Sequence, residues 1–267
     1  MSYGLYLFCL TPQNALLKIG GSGIDPAQPL FTESVAGVTA ILSTVALEDF
    51  CGTESREKLS DLAWVAPRAL RHEEAIMTIM RQAPVLPVRF GCVFSSLDAM
   101  ALSLERHREA LSRFFIDTGG QKEWTLKAFV DRAQAKSRLM AARLAEEQAQ
   151  LAGLAPGKRY LLEQKIKGAV DRELAAWLKG IADDIFASFR DVFSTSSEGR
   201  LLSQELTGRD DEMFIHTALL VPECSVESLQ RLTSEWNVRH EPLGVQLEAS
   251  GPWPPYHFTP VLEMDKK

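Results

Sequence analysis

Residues 162–192, LEQKIKGAVDRELAAWLKGIADDIFASFRDV, carry the longest regular apolar pattern of the C-terminal half. Apolar side chains recur there at every third or fourth position, namely Leu162, Ile166, Val170, Leu174, Leu178, Ile181, Ile185, Phe189 and Val192. This spacing places them in one stripe along an α-helix. The stretch predicts one long amphipathic helix. Because a small neighbour cannot bury such a helix alone, it is expected to pack partly against a partner or to bridge two domains.

The segments around this helix predict a mixed domain. A second helical stretch begins near Asp131 and ends at GLAPGK, residues 153–158, so the long helix is one of a pair. GRLLSQEL (residues 199–206) and MFIHTALLV (residues 213–221) are strand-like and flank a turn-rich segment, which predicts a hairpin. CSVESLQRLTSEW is typical of a short helix capped by Ser225, and GVQLEA is typical of a last strand. This order is a partial match to the ferredoxin-like α+β arrangement.

The N-terminal half also mixes strands and helices. YGLYLFCL (residues 3–10) is typical of a buried strand, and two β-branched segments around Gly37 predict a hairpin. Helices follow, with Pro67 expected to divide two of them and Ser95 expected to cap a further one. EWTLKAFV (residues 123–130) alternates in the manner of a half-buried strand.

These patterns together predict the α+β fold class. A chain of 267 residues has room for two ordinary domains. We predict two α+β domains, residues 1–130 and residues 131–267, of which the second is ferredoxin-like and carries the long helix pair at the junction.

Composition and charge exclude several classes of protein. The formal net charge is −6, which argues against a nucleic-acid partner because such partners select a basic face. No stretch approaches the roughly 18 apolar residues of a membrane span, and the N-terminus lacks a basic signal-peptide region. The four cysteines lie far apart, and Cys9 and Cys92 fall in apolar runs, as buried thiols do in a reducing cytosol. We therefore expect a cytoplasmic protein.

Motifs for catalysis, metals or cofactors are missing from the sequence. HEEAI begins like a zinc-protease helix at His72, but Ile76 stands where the second histidine ligand is needed. His72 is therefore interpreted as a partly exposed helical residue. The glycines of residues 20–23 lack the lysine of a phosphate loop, and no G-x-S-x-G elbow is present. We predict no catalytic residue, metal or cofactor, with an enzyme of unmarked active site as the alternative.

Arg89 stands out because it lies within the apolar run VLPVRFGCVF, where Pro87 places the strand at a sheet edge or bulge. A guanidinium in such a run must either pair with a carboxylate or extend to the surface. Glu73 and Glu123 are the candidate partners, and a structural ion pair is the favoured interpretation.

Two segments carry a resemblance to a known family. VLPVRFGCVF (residues 85–94, the first signature) and GPWPPYHF (residues 251–258, the second signature) resemble the signature segments of the gas vesicle protein F/L family. LYLFCL, RHEEAI, EWTLKAF and GKRYLLEQK agree with it in the same order, whereas Cys92 and His257 depart from residues common in the family. The resemblance identifies ten structural signature residues: Pro87, Arg89, Phe90, Gly91, Gly251, Pro252, Trp253, Pro254, Pro255 and Tyr256.

The resemblance implies an accessory or minor component of gas vesicles, the gas-filled protein shells made in the cytoplasm of some prokaryotes. Such a protein is expected to bind the hydrophobic shell protein GvpA, to keep it from aggregating, and to assist nucleation and assembly. Other gas vesicle accessory proteins are further expected partners. Two α+β domains, the second ferredoxin-like, are the fold that the family implies. The resemblance leaves open the F or L type and retention in the finished vesicle.

The second signature has two interpretations. Pro254 and Pro255 fix φ and remove backbone donors, which favours a structural clamp that ends the last strand and buries Trp253 against the C-terminal domain. A proline-rich docking peptide is the alternative. For GvpA, the edge near Pro87 and the apolar faces of the long helices are both candidate contact sites. A helical scaffold that self-associates through residues 162–192 remains a further alternative.

Overall fold

The computed structural model describes residues 2–147 and 155–262. The packing divides the chain into two compact units: unit 1 contains Met1–Glu123 together with Pro252–Lys267, and unit 2 contains Trp124–Gly251. The changeover comes before the predicted boundary at residue 130, and the chain returns to unit 1 at Pro252. The division into two domains at residues 1–130 and 131–267 remains a prediction.

Unit 1 is an antiparallel sheet flanked by helices. Its elements are β1 (Tyr3–Pro12), β2 (Phe31–Val35), β3 (Val38–Ala46), α1 (Thr53–Ser60), α2 (Leu62–Met80), β4 (Leu86–Pro87), β5 (Val93–Phe94), α3 (Leu97–Arg106) and α4 (Arg108–Asp117). The strand order is β2-β3-β1-β4, and β5 also pairs with β1. The predicted hairpin is confirmed, with its turn at Ala36 and Gly37 between β2 and β3.

The central strand β1 is buried on both faces, which explains its unbroken apolar run. Tyr6 and Phe8 pack into one cluster, to which α2 contributes, and Leu7 and Leu10 pack into another, to which α3 and α4 contribute. A strand covered on both faces has no solvent side on which polar residues would alternate. The prediction of a buried strand is confirmed.

Three helix boundaries differ from the predicted ones. Pro67 lies inside α2 and does not divide two helices, because the division falls at Asp61, whose side chain accepts the Ala63 N–H as an N-cap. Ser96, rather than Ser95, caps α3 by accepting the Ala99 N–H. The expected single helix is broken at His107 into α3 and α4.

Unit 2 contains the second sheet and the long helices. Its elements are β6 (Gln121–Val130), α5 (Arg132–Glu146), α6 (Pro156–Phe189), β7 (Thr195–Glu198), α7 (Gln204–Thr207), β8 (Glu212–Pro222), α8 (Val226–His240) and β9 (Val245–Trp253). The strand order is β7-β8-β6-β9. The fold is therefore α+β, as predicted. The ferredoxin-like assignment rests on this order of strands and helices and remains a prediction.

The predicted stripe of the long helix is confirmed. Helix α6 spans 34 residues, and its stripe is buried from Ile166 to Phe189, whereas Leu162 is half-buried. From Leu174 onward, together with Val192 beyond the helix end, the stripe lies in the core of unit 2. The stripe packs against strand β6, in which the predicted face of Trp124, Leu126, Ala128 and Val130 is also buried. The loop expected between the paired helices lies partly outside the described residues.

The hairpin predicted from GRLLSQEL is wrong. Strand β8 pairs with Thr195–Glu198, which precedes that segment, whereas residues 204–207 form the short helix α7. Leu201 and Leu206 are both exposed, so their apolar character does not reflect a buried strand. Ser225 stands at the N-terminus of α8, but its side chain makes no capping hydrogen bond.

Candidate functional site

The first signature lies on the edge of the unit 1 sheet. Both of its short strands, β4 and β5, pair with β1, and β4 ends the strand order, which confirms the predicted edge position of Pro87. Between the two strands the chain turns at Gly91, whose φ of +86° is a conformation that glycine adopts without a side-chain penalty.

A buried hydrogen-bond network holds this turn. The His72 Nε2 donates to the Val88 carbonyl over 2.9 Å, and the Tyr6 hydroxyl lies 3.0 Å from His72 Nδ1. The Gly91 N–H donates to the same Tyr6 hydroxyl over 3.1 Å. Because a carbonyl only accepts, His72 carries its proton on Nε2, and Tyr6 donates to Nδ1. Both ends of the network thus bind the first signature.

The network requires a neutral His72. Burial lowers the pKa of His72 to about 4, although the hydrogen bond to the Val88 carbonyl acts in the opposite direction. Burial likewise raises the pKa of the Tyr6 hydroxyl, so Tyr6 stays protonated and can donate. The rings of Phe8 and Phe90 enclose the imidazole at centroid distances of 5.6 and 5.8 Å. A desolvated imidazole in this setting is a fixed structural bridge.

The interpretation of His72 as partly exposed is wrong, since it is only 1% exposed. A sequence signal was available. His72 precedes Ile76 by four positions and Ile79 by seven, so it belongs to the buried stripe of α2. The spacing of zinc ligands alone does not reveal this helical periodicity.

The second signature is anchored, but not by its tryptophan. Pro254 and Pro255 are buried, whereas Trp253 is 44% exposed, so the prediction of a largely buried Trp253 is wrong. The anchors are the next two residues. The Tyr256 hydroxyl donates to Glu73 Oε1 over 2.7 Å, and His257 donates from its backbone N–H and from Nδ1 to the two oxygens of Glu123, at 3.0 and 2.7 Å.

Helix α2 therefore binds both signatures through two adjacent residues, since His72 binds the first and Glu73 the second. Glu123 adds a buried carboxylate, whose side chain is 3% exposed. A carboxylate at such depth needs hydrogen-bond donors, and the second signature supplies two of them. Burial, followed by the nearby Glu73, raises the pKa of Tyr256 and keeps its hydroxyl a donor.

Arg89 does not form the expected ion pair. Its two candidate partners, Glu73 and Glu123, are engaged by Tyr256 and His257. Arg89 is exposed, and within residues 2–147 and 155–262 its guanidinium makes neither a hydrogen bond nor an ion pair. It follows the second of the two predicted possibilities, extension to the surface.

A cleft of about 320 Å³ lies beside β4. Its walls come from the first signature and from the chain that follows the second signature: residues 86–90, Cys92 and residues 259–262. Leu86, Val88 and Cys92 are buried behind it, whereas Val261 is 90% exposed. The first signature and the residues that follow the second signature therefore line the same cleft. Gly251 and Pro252 lie outside this lining, at the end of β9.

The described residues hold no group of three or more His, Cys, Asp or Glu side chains suited to a metal ion. Cys9 is fully buried, and burial raises the pKa of its thiol. Over the same part of the chain, none of the helices combines the length and the apolar character needed to cross a membrane.

The anchoring of the second signature can be tested at Glu123. Replacement by Met keeps the length of the side chain but removes both acceptor oxygens, and should weaken the anchor by about 1–3 kcal/mol. We expect amide hydrogen exchange at His257 to accelerate roughly ten- to a hundredfold in Glu123→Met. Glu74→Met, an exposed change on α2, is the matched control and should leave this exchange rate as it is. Unchanged protection in Glu123→Met would contradict the anchor.

The fold is similar to that of two solved gas vesicle proteins. The chain is similar to the crystal structure of GvpF from Anabaena sp. PCC7120, with a TM-score of 0.72 over 97% of this chain and 99% of that one, at 18% identity. It is also similar to GvpF from Microcystis aeruginosa, with a TM-score of 0.67 at the same identity and coverage.

The family is established by sequence. The model of the family described as gas vesicle synthesis protein GvpL/GvpF matches residues 4–260, and the chain belongs to this family. It is 25% identical to gas vesicle protein L of a Streptomyces species, over 97% of this chain and 94% of that protein. It is also 25% identical to gas vesicle protein L1 of Halobacterium salinarum, over 98% and 92%. The two sequence relatives are L proteins and the two solved structures are F proteins. The comparisons therefore assign the chain to the joint GvpL/GvpF family.

Proposed function

We propose that this protein is a cytoplasmic accessory protein that binds the gas vesicle shell protein GvpA, prevents its aggregation, and assists nucleation and assembly of gas vesicles. Family membership supports the gas vesicle role. The observation that carries the binding role is the cleft at a sheet edge, which the first signature borders and which mostly apolar residues line. Apolar surface of this kind is what a soluble protein offers to a hydrophobic partner.

The physical logic is competition between partners. Shell subunits expose wide apolar surface before they assemble. Such surfaces bind one another and keep adding copies, which produces aggregates of no fixed size. A soluble binder with an apolar cleft offers one defined alternative contact per molecule. The net charge of −6 keeps the binder itself apart from its own copies and supports solubility of the complex.

The two alternative functions have less support. An enzyme needs polar groups that converge on a pocket, whereas nine of the ten described residues that line the cleft beside β4 are uncharged. A scaffold that self-associates through the long helix needs its apolar stripe at the surface. From Leu174 onward that stripe lies in the core of unit 2, and Ile166 and Val170 are buried as well.

Co-expression tests the proposal. The tagged protein is produced together with GvpA from the same organism, and the amounts of soluble and co-eluting GvpA are compared with those from cells that lack the tagged protein. We expect GvpA to become soluble and to co-elute, because its apolar surface is covered. GvpA that stays insoluble, with none in the eluate, would contradict direct binding and leave a structural role in the vesicle.

A further inference from the structure

Among the ten described residues that line the cleft beside β4, Arg89 alone carries a charge. The two carboxylates expected to pair with Arg89, Glu73 and Glu123, accept hydrogen bonds from Tyr256 and His257 instead. The described part of the chain thus presents a guanidinium at the cleft without a counter-charge. Arginine binds carboxylates with two parallel hydrogen bonds, and such bonds are strong where water is partly excluded.

The guanidinium is carried by a rigid support. Arg89 lies between Val88 and Gly91, and both of these residues are fixed by the network of Tyr6 and His72. The Val88 N–H also donates to the Phe8 carbonyl of β1 over 3.0 Å. A site held in this way loses little conformational entropy when it binds a partner, which favours recognition.

The edge strand limits the way in which a partner can bind. Strand β4 contains only Leu86 and Pro87, and Pro87 has no N–H to donate to an added strand. A long β-ladder with a partner is therefore excluded at this edge. The volume of about 320 Å³ lies at the lower end of the range for ligand sites, about 300–1,000 Å³, and suits a few side chains of a segment.

We infer that this cleft binds a short segment of GvpA in which apolar side chains enter the cleft and a carboxylate pairs with Arg89. The inference rests on the proposed function, which supplies GvpA as the apolar partner. The cleft accounts for the apolar part of the segment, and Arg89 accounts for its charge. Arg89 also selects one register, because an apolar segment without a carboxylate leaves the guanidinium unpaired.

Charge reversal at Arg89 tests the inference in the co-expression assay. Arg89→Glu should lower the amount of co-eluting GvpA at least tenfold relative to wild type, because a carboxylate then meets a carboxylate. Arg113→Glu, an exposed change of equal charge on α4 away from the cleft, is the matched control and should retain wild-type capture. Equal capture by Arg89→Glu and wild type would overturn the inference and leave the proposed function intact. A wild-type protein that captures no GvpA would overturn both.

A charge swap identifies the partner carboxylate. Each Asp or Glu of GvpA is changed in turn to Arg and co-expressed with Arg89→Glu. One variant should restore capture to near the wild-type amount, since the pair is rebuilt with opposite signs. A loss that none of the swaps restores would overturn the ion pair.

One further variant tests the apolar wall of the cleft, and a second tests the C-terminal tail. Val261→Asp should lower capture several-fold, whereas Val238→Asp, at a similarly exposed valine on α8, should leave it as in wild type. Residues 263–267 include Glu263 and Asp265 and follow directly on the cleft wall. A chain ending at Leu262 should capture GvpA as wild type does. A tenfold loss in that chain would place the GvpA contact on the tail and overturn the inference.

Discussion

Replacement of Leu174 by Ala is expected to lower the free energy of unfolding of unit 2 by about 2–5 kcal/mol. Leu174 lies in the middle of the α6 stripe and is fully buried in the unit 2 core. The substitution removes the burial of the side chain and leaves a cavity, because close-packed neighbours relax only in part. Urea unfolding followed by circular dichroism measures the change as a lower midpoint.

The matched control is the same substitution on the same helix. Leu161 is 68% exposed, so Leu161→Ala should change the free energy of unfolding by less than about 0.5 kcal/mol. Equal effects at both positions would mean that the α6 stripe is not the internal face of unit 2. That result would also revive a scaffold that associates through the helix.

Acidification is expected to destabilise unit 1 through His72. The pKa of His72 is about 4 in the folded protein, below its ordinary value of 6.5, so the unfolded chain binds the proton more readily. The contribution of neutral His72 is complete above pH 6.5 and is lost as the pH falls from 6.5 towards 4. A shift of this size corresponds to roughly 3 kcal/mol. The measurement is the free energy of unfolding as a function of pH.

His72→Gln isolates this contribution. The amide has a donor for the Val88 carbonyl and an acceptor for the Tyr6 hydroxyl, but it does not titrate in this range. The acid titration of the other groups is common to both proteins, so the difference between the two curves reports His72. We expect the wild-type curve to fall more steeply between pH 6.5 and 4 by roughly 3 kcal/mol in total. Parallel curves over that interval would show that His72 is not held neutral.

The α6 stripe and the buried His72 differ in how far the sequence predicted them. The α6 stripe could be located from the sequence because burial of a helix face imposes a local period of three to four residues. The buried strand β1 and the edge position of Pro87 follow from equally local rules, an unbroken apolar run and a missing N–H. Gly37 marked the β2–β3 hairpin for the same reason, because a tight turn requires positive φ, which is +80° at this residue.

The errors arose where packing overrides composition. Trp253 was expected to be buried because Pro254 and Pro255 would end the last strand and clamp it, yet the prolines themselves are buried and Tyr256 and His257 hold this segment by hydrogen bonds. Leu201 and Leu206 made GRLLSQEL strand-like, although both remain exposed. An apolar side chain tolerates exposure at low cost, so its presence alone does not place a residue in the core.

The family, the α6 stripe, the buried strand β1 and the β2–β3 turn could be read from the sequence, because each is a property of neighbouring residues. Which carboxylates the second signature engages depends on the tertiary fold. Glu73 and Glu123 lie 183 and 134 positions from Tyr256 and His257, and a carboxylate pairs with whichever donor the fold brings within about 3 Å. That choice also left Arg89 without a partner in the described part of the chain, at the edge of an apolar cleft.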